Sequence, residues 1–272
     1  MATISVVIVA RDEEKNIETC LQSVSWADET IVIVDDRTVD RTAELAAPLA
    51  TRVYHHEWEG YGGTKNWAIA QASGDWILSL DADERVPEAL AREIRDEVLA
   101  RDPEVAAYRM ARLPYFLGRE IRHCGWYPGY VLRLFRKGRV VYDGALVHES
   151  VEVDGSIACL HNELEHFTDP TIYHYLRKLN RYTTLAAQDL SSEGRRGSLR
   201  DLVLRPPAFF LRMYLLRGGF LDGMHGFMLS YLSAFYVFVK YAKLFTLRSS
   251  VPRVTPGSGG PGVGRSAAAA DG

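Results

Sequence analysis

Short apolar runs alternate with helix-forming stretches through the first hundred residues, and this alternation constrains the fold most. The apolar runs are TISVVIVA (3–10), TIVIVD (30–35), TRVYHH (51–56) and DWILSL (75–80). The helical patterns cover about 15–24, 38–47, 65–72 and 87–100. The leading runs are continuously apolar, which is typical of parallel strands whose two faces are both covered by helices. The sequence therefore predicts an α/β fold, Rossmann-like, with a mostly parallel sheet flanked by helices.

The second half of the chain changes character twice. After residue 103 it becomes irregular, aromatic and interrupted by Gly and Pro, which predicts short mixed strands with long loops. Asp169 is the predicted N-cap of a long helix that runs to about Ser192. Further helices are expected up to Leu247, broken at Pro206-Pro207 and at Gly218-Gly219.

These changes divide the chain into three expected parts. An α/β domain should span 1–168 and a helical region 169–247, followed by a disordered tail at 248–272 that is rich in Gly, Pro and Ala. Three cysteines without a C-x-x-C pair predict neither a disulfide framework nor a thiolate zinc site, so a reducing cytoplasm suits the chain.

The charge of the chain is unevenly distributed. The formal net charge of −3 predicts no general affinity for nucleic acid. Residues 200–250, however, hold seven Lys or Arg against two Asp, among many aromatic residues. An acidic body with a basic, aromatic C-terminal segment favours an enzyme that rests on an anionic membrane, with a buried helical hairpin or a dimer contact as the alternatives.

The start of the chain and its longest apolar run together predict a location on the cytoplasmic side. No signal-peptide pattern opens the chain, because Arg11-Asp12-Glu13-Glu14 directly follows the first run. The longest uncharged apolar run, Gly226 to Val239, has fourteen residues and falls short of the roughly 20 that a spanning helix needs. We therefore expect a cytoplasmic protein that is peripheral or monotopic at the inner face of the cytoplasmic membrane.

Acidic residues follow three of the predicted strands. Glu13 comes after the first, Asp35 and Asp36 end the second, and Asp81-Ala82-Asp83-Glu84 ends the fourth. Ligands of open parallel sheets bind beyond the carboxyl ends of the strands, where these side chains should meet. Repulsion between gathered carboxylates is commonly relieved by a hard divalent cation and a phosphorylated ligand. An ordinary acidic turn remains the alternative for the D-x-D segment taken alone.

Three blocks of sequence give these aspartates a context. They are SVVIVARDEEKNIETCL, TIVIVDDRTVDRT and GYGGTKNWAIAQASGDWILSLDADERV. In this order they resemble the family 2 glycosyltransferases of the GT-A fold, with Asp12 where Asn is usual and Arg37-Thr38 in the usual Gly-Ser place. The pair His148-Glu149 and the segments HFTDPTIYHYLRKLNRYT and RGGFLDGMHGF are most similar to bacterial lipopolysaccharide core β-glucosyltransferases. The resemblance covers about 1–247.

The resemblance implies a metal-dependent, inverting transfer of a sugar from a nucleotide-diphosphate donor. Mg²⁺ or Mn²⁺ is the implied cofactor and UDP-glucose the implied donor. The acceptor would be a hydroxyl of a membrane-linked glycan or glycolipid such as lipopolysaccharide core, with a polyprenyl phosphate as the alternative. The implied donor-binding residues are Ala10 and Glu13 beside the nucleoside, Asp36 at uracil or ribose, Lys65 at base or diphosphate, Asp81 at ribose and Asp83 at the metal.

The resemblance also suggests the remaining ligands and the acceptor side. His166 would complete the metal shell, with His148 as the alternative ligand or an acceptor contact. Inversion needs a general base for the acceptor hydroxyl. Glu149 is the first candidate for this base, and Asp143 and Glu120 are the alternatives.

An aromatic cluster is the predicted acceptor platform. Trp126, Tyr127 and Tyr130 could stack on the CH faces of a sugar, although aromatic residues at this density are as common in the core of a small sheet.

Other functional classes agree less well with the sequence. A haloacid-dehalogenase phosphatase would use the Asp81/Asp83 pair, but it requires Thr or Val where Arg85 stands. A sugar nucleotidyltransferase needs a Gly-rich basic loop after the first strand, and a dinucleotide oxidoreductase needs G-x-G-x-x-G there; both patterns are absent. A catalytically silent membrane scaffold would not need the aspartates.

Overall fold

A mixed sheet forms the centre of the computed structural model, which describes residues 2–100, 104–143 and 151–247. In these ranges ten strands join one sheet, in the order β3-β2-β1-β4-β8-β6-β12-β5, with β7 and β11 also paired to β6. A separate pair is formed by β9 and β10. The strands are β1 Ile4–Ala10, β2 Glu29–Asp35, β3 Arg52–His56, β4 Trp76–Asp81, β5 Glu84–Arg85, β6 Ala107–Phe116, β7 Arg119–Glu120, β8 Gly129–Arg136, β9 Val140–Tyr142, β10 Val151–Val153, β11 Ile157–Cys159 and β12 Leu164–Asp169.

The N-terminal half of the sheet is parallel. β1 pairs in parallel with β2 and β4, and β2 pairs in parallel with β3, so the carboxyl ends of all four strands lie at one edge. β8 then runs antiparallel to β4 and β6, and β12 returns parallel to β6. The predicted α/β fold, with a parallel first half and mixed short strands after it, is confirmed.

Helices cover both faces of the sheet. On one face Val6 and Ile8 pack with Ile17 of the first helix and Leu90 of the fourth, and on the other Val7 packs with residues of the third. Alternate residues of each strand therefore enter different cores, which explains why the strands are apolar throughout. The helices are α1 Ile17–Ser23, α2 Thr42–Ala46, α3 Gly60–Ala70 and α4 Glu88–Glu93, which continues as a π-helical segment, Ile94–Leu99.

The C-terminal region is helical, with two differences from the expected boundaries. Its first helix is capped by Thr171, whose hydroxyl accepts a hydrogen bond from the backbone N–H of His174 at 3.1 Å. Asp169, the predicted cap, instead ends β12. Pro206 and Pro207 lie in the first turn of a helix, where proline is tolerated. The break predicted at Gly218-Gly219 is present, with Gly218 at φ of +66°. The helices are α5 Ile172–Ser192, α6 Leu199–Val203, α7 Arg205–Leu211, a π-helical segment Arg212–Leu216, a 3₁₀ turn Gly219–Asp222 and α8 Gly223–Leu247.

The helical region packs directly on the sheet domain. Phe116 and Ile121, from the end of β6 and the chain after it, share a buried cluster with Met213 and with Leu229 of α8. The sheet ends at Asp169, one residue beyond the predicted division; the assignment of two separate domains stays a prediction. The predicted tail at 248–272 lies outside the described residues.

Among the described helices, none combines the length and the apolar character that crossing a bilayer requires.

Candidate functional site

A cavity of about 570 Å³ lies at the carboxyl ends of β1, β2 and β4. Parallel strands deliver the residues that follow them to the same edge of a sheet, so the side chains after these strands meet here. Of the predicted donor-binding residues, the cavity is lined by Ala10, Glu13, Lys65, Asp81 and Asp83. The predicted metal ligand His166 lines it too.

Positive and negative side chains balance across the cavity. Four carboxylates, those of Glu13, Asp35, Asp81 and Asp83, line it together with four basic side chains, those of Arg11, Arg37, Lys65 and Arg181. Trp58 and Tyr182 add aromatic surface. A cavity that offers cations, carboxylates and aromatic rings together suits a ligand that carries phosphate, hydroxyl and ring groups.

Asp81 is held as a carboxylate by two cations. It ends β4, and its carboxylate contacts the guanidinium of Arg133, which projects from the antiparallel neighbour β8. On its other oxygen, Lys65 Nζ lies 3.5 Å from Oδ1. Burial opposes ionisation of Asp81, but the charges of Arg133 and Lys65 outweigh it and hold the pKa of Asp81 well below its usual range. Asp81 is therefore an acceptor of hydrogen bonds at neutral pH.

A buried carboxylate supports Asp81 from beneath. Glu84 is 0% exposed; its Oε1 accepts a hydrogen bond from Arg133 at 2.7 Å, and its Oε2 accepts one from the backbone N–H of Asp81 at 3.0 Å. Arg112 Nη1 lies 3.6 Å from the same carboxylate. Burial raises the pKa of Glu84, although Arg133 opposes this. The turn after β4 is thus fixed by a buried ion-pair network that its local sequence does not reveal.

Asp83 and His166 form the pair best placed to hold a metal ion. Antiparallel pairing of β12 with β5 sets His166 opposite Glu84, next to Asp83. As a result Asp83 Oδ2 and His166 Nε2 are 3.2 Å apart. Two adjacent ligands of an octahedral ion, each at about 2.1 Å, would be about 3 Å apart, so these two donors fit one Mg²⁺ or Mn²⁺.

The protein supplies only part of such a coordination shell. Among residues 2–100, 104–143 and 151–247, no group of three or more His, Cys, Asp or Glu side chains could hold a metal ion. Mg²⁺ keeps several waters and is commonly bound through one or two carboxylates together with substrate phosphates. Asp83 and His166 therefore suit an ion that arrives with a phosphorylated ligand.

Glu13 faces the same carboxylates from the end of β1. Its backbone N–H donates to Thr42 Oγ1 at 2.8 Å, and its carboxylate accepts a hydrogen bond from Asn16 at 2.7 Å. Burial, assisted by the negative charges of Asp83 and Asp81, raises the pKa of Glu13 to about 7. This residue is therefore half-protonated near neutral pH and responds to any added cation.

Lys65 is buried in α3. The sequence predicted a helix from residue 65, but α3 begins at Gly60, so Lys65 lies in its second turn and is only 5% exposed. Its Nζ also lies 5.4 Å from the ring centroid of Tyr142. A side chain at Gly62 would meet the carbonyl oxygen of Asp143 at 2.0 Å, so glycine there allows α3 to approach β9.

Asp35, and not its neighbour, reaches the cavity from β2. Asp35 is buried; Arg37 binds its carboxylate through Nε and Nη2 at 3.1 and 2.9 Å, and Arg11 lies 3.6 Å away. Burial opposes its ionisation, but hydrogen bonds from Arg37 hold the pKa of Asp35 below its usual range. Asp36 is exposed and does not line the cavity, because successive residues of an extended chain point in opposite directions. Its predicted contact with the nucleoside stays a prediction.

Helix α5 contributes two lining residues that the sequence analysis did not identify. Arg181 and Tyr182 reach the cavity from the helical region, about 100 residues after the D-x-D segment. Arg11 and Arg37 pair with Asp35 and Lys65 pairs with Asp81, whereas Arg181 forms no ion pair with any described residue. Arg181 is thus available to an anionic ligand. The segment HFTDPTIYHYLRKLNRYT contained the signal, but only the folded chain shows which of its residues face the sheet.

The predicted acceptor residues lie elsewhere. Trp126 lines a separate cavity of about 240 Å³ with Tyr175 and Phe209. The Tyr127 hydroxyl donates to the Glu163 carboxylate, and Tyr130 is 56% exposed. Because none of the three lines the 570 Å³ cavity, their role at an acceptor stays a prediction.

Of the three candidate bases, two lie within the described residues. Glu149 and His148 lie outside the described residues, whereas Asp143 is the last described residue before them. Glu120, the other alternative, pairs with Arg122 at 3.4 Å and does not line the 570 Å³ cavity. The choice of base stays a prediction.

Comparisons with known proteins agree with the resemblance seen in the sequence. The family model described as glycosyl transferase family 2 matches residues 5–144. The lipopolysaccharide core biosynthesis glycosyltransferase LpsC of Rhizobium meliloti (strain 1021) is 34% identical over 89% of this chain and 92% of that protein. The uncharacterized glycosyltransferase RT0209 of Rickettsia typhi is 27% identical over 90% of this chain and 87% of that protein.

The solved structures resemble the chain only in part. Glucosyl-3-phosphoglycerate synthase from Mycobacterium tuberculosis aligns with 26% identity and a TM-score of 0.35, over 42% of this chain and 44% of that chain. A likeness of this extent bears on neither the site nor the substrate.

Proposed function

Since the chain belongs to glycosyl transferase family 2 and is a glycosyltransferase, we propose that its 570 Å³ cavity binds a nucleotide-diphosphate sugar together with a divalent metal ion. UDP-glucose is the proposed donor, and the proposed transfer inverts the anomeric centre. The acceptor would be a hydroxyl of a membrane-linked glycan or glycolipid, in keeping with the name of the Rhizobium relative. The reaction would take place at the inner face of the cytoplasmic membrane.

The observation that carries this proposal is the Asp83–His166 pair. Its two donor atoms, 3.2 Å apart, come from the turn before β5 and from β12, which meet only in the folded sheet, at the edge where Asp81 and Lys65 also lie. Mg²⁺ or Mn²⁺ bound by Asp83 and His166 would neutralise the charge that develops on the leaving diphosphate.

The chain's own cations would hold the diphosphate. Arg181 has no carboxylate partner among the described residues, so a phosphate oxygen can take that place without breaking an ion pair. Lys65 lies opposite and is fixed by Asp81. Two cations on different elements would orient the diphosphate and keep the departing group in place.

The remaining lining residues suit the nucleoside. Asp81, held ionised by Arg133, can accept hydrogen bonds from ribose hydroxyls. The rings of Trp58 and Tyr182 offer surfaces for a nucleobase or a sugar. A base on the acceptor side, Glu149 or Asp143 in our proposal, would remove the proton of the acceptor hydroxyl as it attacks.

The test is donor binding and turnover in an Asp83→Asn variant. This substitution keeps the shape of the side chain but removes its negative charge. We expect it to abolish Mn²⁺-dependent binding of UDP-glucose in a calorimetric titration and to abolish release of UDP in the presence of acceptor. Asp154→Asn is the matched control, since Asp154 is 79% exposed and pairs with Arg139 on the surface.

The same titration tests the donor. UDP-galactose, UDP-N-acetylglucosamine and GDP-mannose are compared with UDP-glucose, each with and without Mn²⁺. Equal affinity for UDP-glucose with and without Mn²⁺, or full turnover by Asp83→Asn, would contradict the proposed site. Preference for another nucleotide sugar would correct the donor only.

A further inference from the structure

The helices at the C-terminus expose a large apolar face. Eight apolar side chains between residues 199 and 231 are more than half exposed: Leu199 (72%), Val203 (57%), Leu204 (59%), Leu215 (52%), Leu216 (84%), Leu221 (62%), Met224 (67%) and Tyr231 (62%). Single exposed apolar residues are ordinary, but large contiguous patches mark an interaction surface. We call this surface, formed by exposed apolar residues between 199 and 238, from α6 to α8, the apolar face.

Helix α8 is apolar on both sides. Its inner side packs Leu229, Val237 and Leu244 into the protein. Its outer side carries Phe227, Tyr231, Phe235 and Phe238, spaced four, four and three residues apart, and all are more than 40% exposed. A helix on the surface of a globular protein normally turns polar side chains outward. The outer side of α8 is therefore built to meet an apolar environment.

A groove runs through the apolar face between α7 and α8. It has a volume of about 540 Å³ and is lined by Pro207 and Phe210 from one helix and by Tyr231, Phe235 and Phe238 from the other. None of the described residues that line it is charged. This volume is in the range of small-molecule sites. An apolar groove without charges recognises a hydrocarbon chain and has nothing to bind an ionic group.

The charges around the apolar face favour an anionic partner. Residues 195–247 hold eight Lys or Arg against two Asp, whereas residues 1–194 hold 21 against 32. Arg200 and Arg212 belong to the same stretch of chain as the face and are exposed. Basic residues that flank an apolar surface add electrostatic attraction to anionic lipids and discriminate against a neutral surface.

We propose that the apolar face docks on an anionic phospholipid bilayer and that the groove receives one acyl chain of a lipid from that bilayer. The proposal goes beyond the donor chemistry and does not depend on it. It also has a geometric consequence for the enzyme. Helix α5 packs along α8 and carries Arg181 and Tyr182 into the donor cavity, so docking of α8 orients that cavity relative to the membrane surface.

Vesicle flotation of the full chain tests the docking. Vesicles contain phosphatidylglycerol with phosphatidylethanolamine, or phosphatidylcholine alone, at low and high salt. We expect the wild type to float with the anionic vesicles, less at high salt, and to stay in solution with the neutral ones. The double substitution Leu216→Asp with Leu221→Asp should lower the partition coefficient about tenfold or more, because it places two charges at the apolar contact.

The control is an exposed apolar residue on the sheet, away from the apolar face. Ile157, 51% exposed in β11, is replaced by Asp and should leave flotation unchanged. Calorimetric binding of UDP-glucose is followed in every variant, so that loss of folding or of donor binding is distinguished from loss of membrane binding. Equal flotation of the wild type and the Leu216/Leu221 variant would overturn the proposal.

Fluorescence quenching tests the groove itself. Tyr231→Trp and Ile157→Trp are each compared with the wild type on vesicles whose phosphatidylglycerol is brominated along its acyl chains. The indole at 231 should lose a larger fraction of its fluorescence than the one at 157. Equal quenching at the two positions would refute entry of an acyl chain. A dimer that forms without vesicles and is dissociated by the Leu216/Leu221 substitutions would show that a second copy covers the face, and the proposal would fail.

Discussion

Replacing Arg133 by Met should destabilise the protein through the carboxylates that it leaves behind. Arg133 is 7% exposed and contacts both Asp81 and Glu84. Met fills a similar volume without a charge, so the substitution removes the cation and leaves little empty space. After the change, Glu84 keeps the hydrogen bond from the Asp81 backbone N–H and has Arg112 as its nearby cation, 3.6 Å away. Asp81 keeps Lys65, 3.5 Å away.

The size of the effect follows from the burial of Glu84. Breaking a buried ion pair by removing one partner costs about 3–5 kcal/mol, because an uncompensated charge stays in the interior. Arg112 and Lys65 still compensate part of the negative charge of the two carboxylates. We therefore expect a loss of about 3 kcal/mol in the free energy of unfolding at pH 7.

The loss of stability should be smaller at acidic pH. In the wild type the folded-state pKa of Asp81 is depressed, so its contribution to stability is present above the ordinary value of 3.8 and is lost as the pH falls below it. Without Arg133 the pKa values of Asp81 and Glu84 both rise, and the folded variant takes up protons at a higher pH than the wild type. The difference in stability between the two proteins is therefore largest near neutral pH and smaller near pH 4.

Urea denaturation followed by tryptophan fluorescence measures this difference. The rescue variant adds Glu84→Gln to Arg133→Met, which removes the stranded charge but keeps an oxygen for the Asp81 backbone N–H. This double variant should recover about 1–2 kcal/mol of the unfolding free energy that Arg133→Met loses. Arg139→Met, at an exposed arginine, should change stability by less than about 0.5 kcal/mol. A loss below about 1 kcal/mol in Arg133→Met, or no recovery in the double variant, would refute the network as described.

Three further outcomes are expected. The folded-state pKa of Glu13, about 7, lies above its ordinary 4.5, so the folded protein retains this proton and its stability falls as the pH rises between those values. Thermal and urea unfolding without metal should therefore show that the Glu13→Gln variant loses about 2 kcal/mol less stability than the wild type between pH 5 and 8. An unchanged pH dependence would contradict the burial of this carboxyl. His166→Ala should weaken Mn²⁺-dependent donor binding while UDP alone binds as before in the absence of metal, and equal Mn²⁺ dependence would exclude His166 as a ligand. Arg181→Gln should weaken binding of UDP in calorimetry by about tenfold or more, whereas Arg177→Gln, one helical turn earlier and not among the residues that line the cavity, should not. Equal effects would indicate only a general loss of positive charge.

The N-terminal half of the fold could be predicted because its signals are local. Continuous apolar runs identify strands that are buried on both faces, and their order along the chain predicts parallel pairing. The same reasoning brought Glu13, Asp81 and Asp83 to one edge, where the structure has them. Boundaries were less accurate: α3 begins at Gly60, five residues before the predicted start, because glycines in its first turn obscure the helical pattern.

The parts that could not be predicted depend on contacts between distant segments. Nothing near Glu84 in sequence indicates that Arg133 will pair with it, since the contact arises from the antiparallel pairing of β4 with β8. Arg181 likewise reaches the cavity only because α5 packs back over the sheet edge. Likewise, Asp35 lines the cavity and Asp36 does not, because only one side of the end of β2 faces the cavity.

By itself, then, the amino-acid order determines which segments are strands and that the first four run in parallel. It also determines that acidic side chains gather at their ends. Each of these follows from the pattern of neighbouring residues. Only the tertiary structure decides which carboxylates are ionised, which cation remains available to a ligand, and that α8 leaves an apolar side uncovered. Charge state and exposure depend on every group within a few ångströms, and those groups come from parts of the chain that only folding brings together.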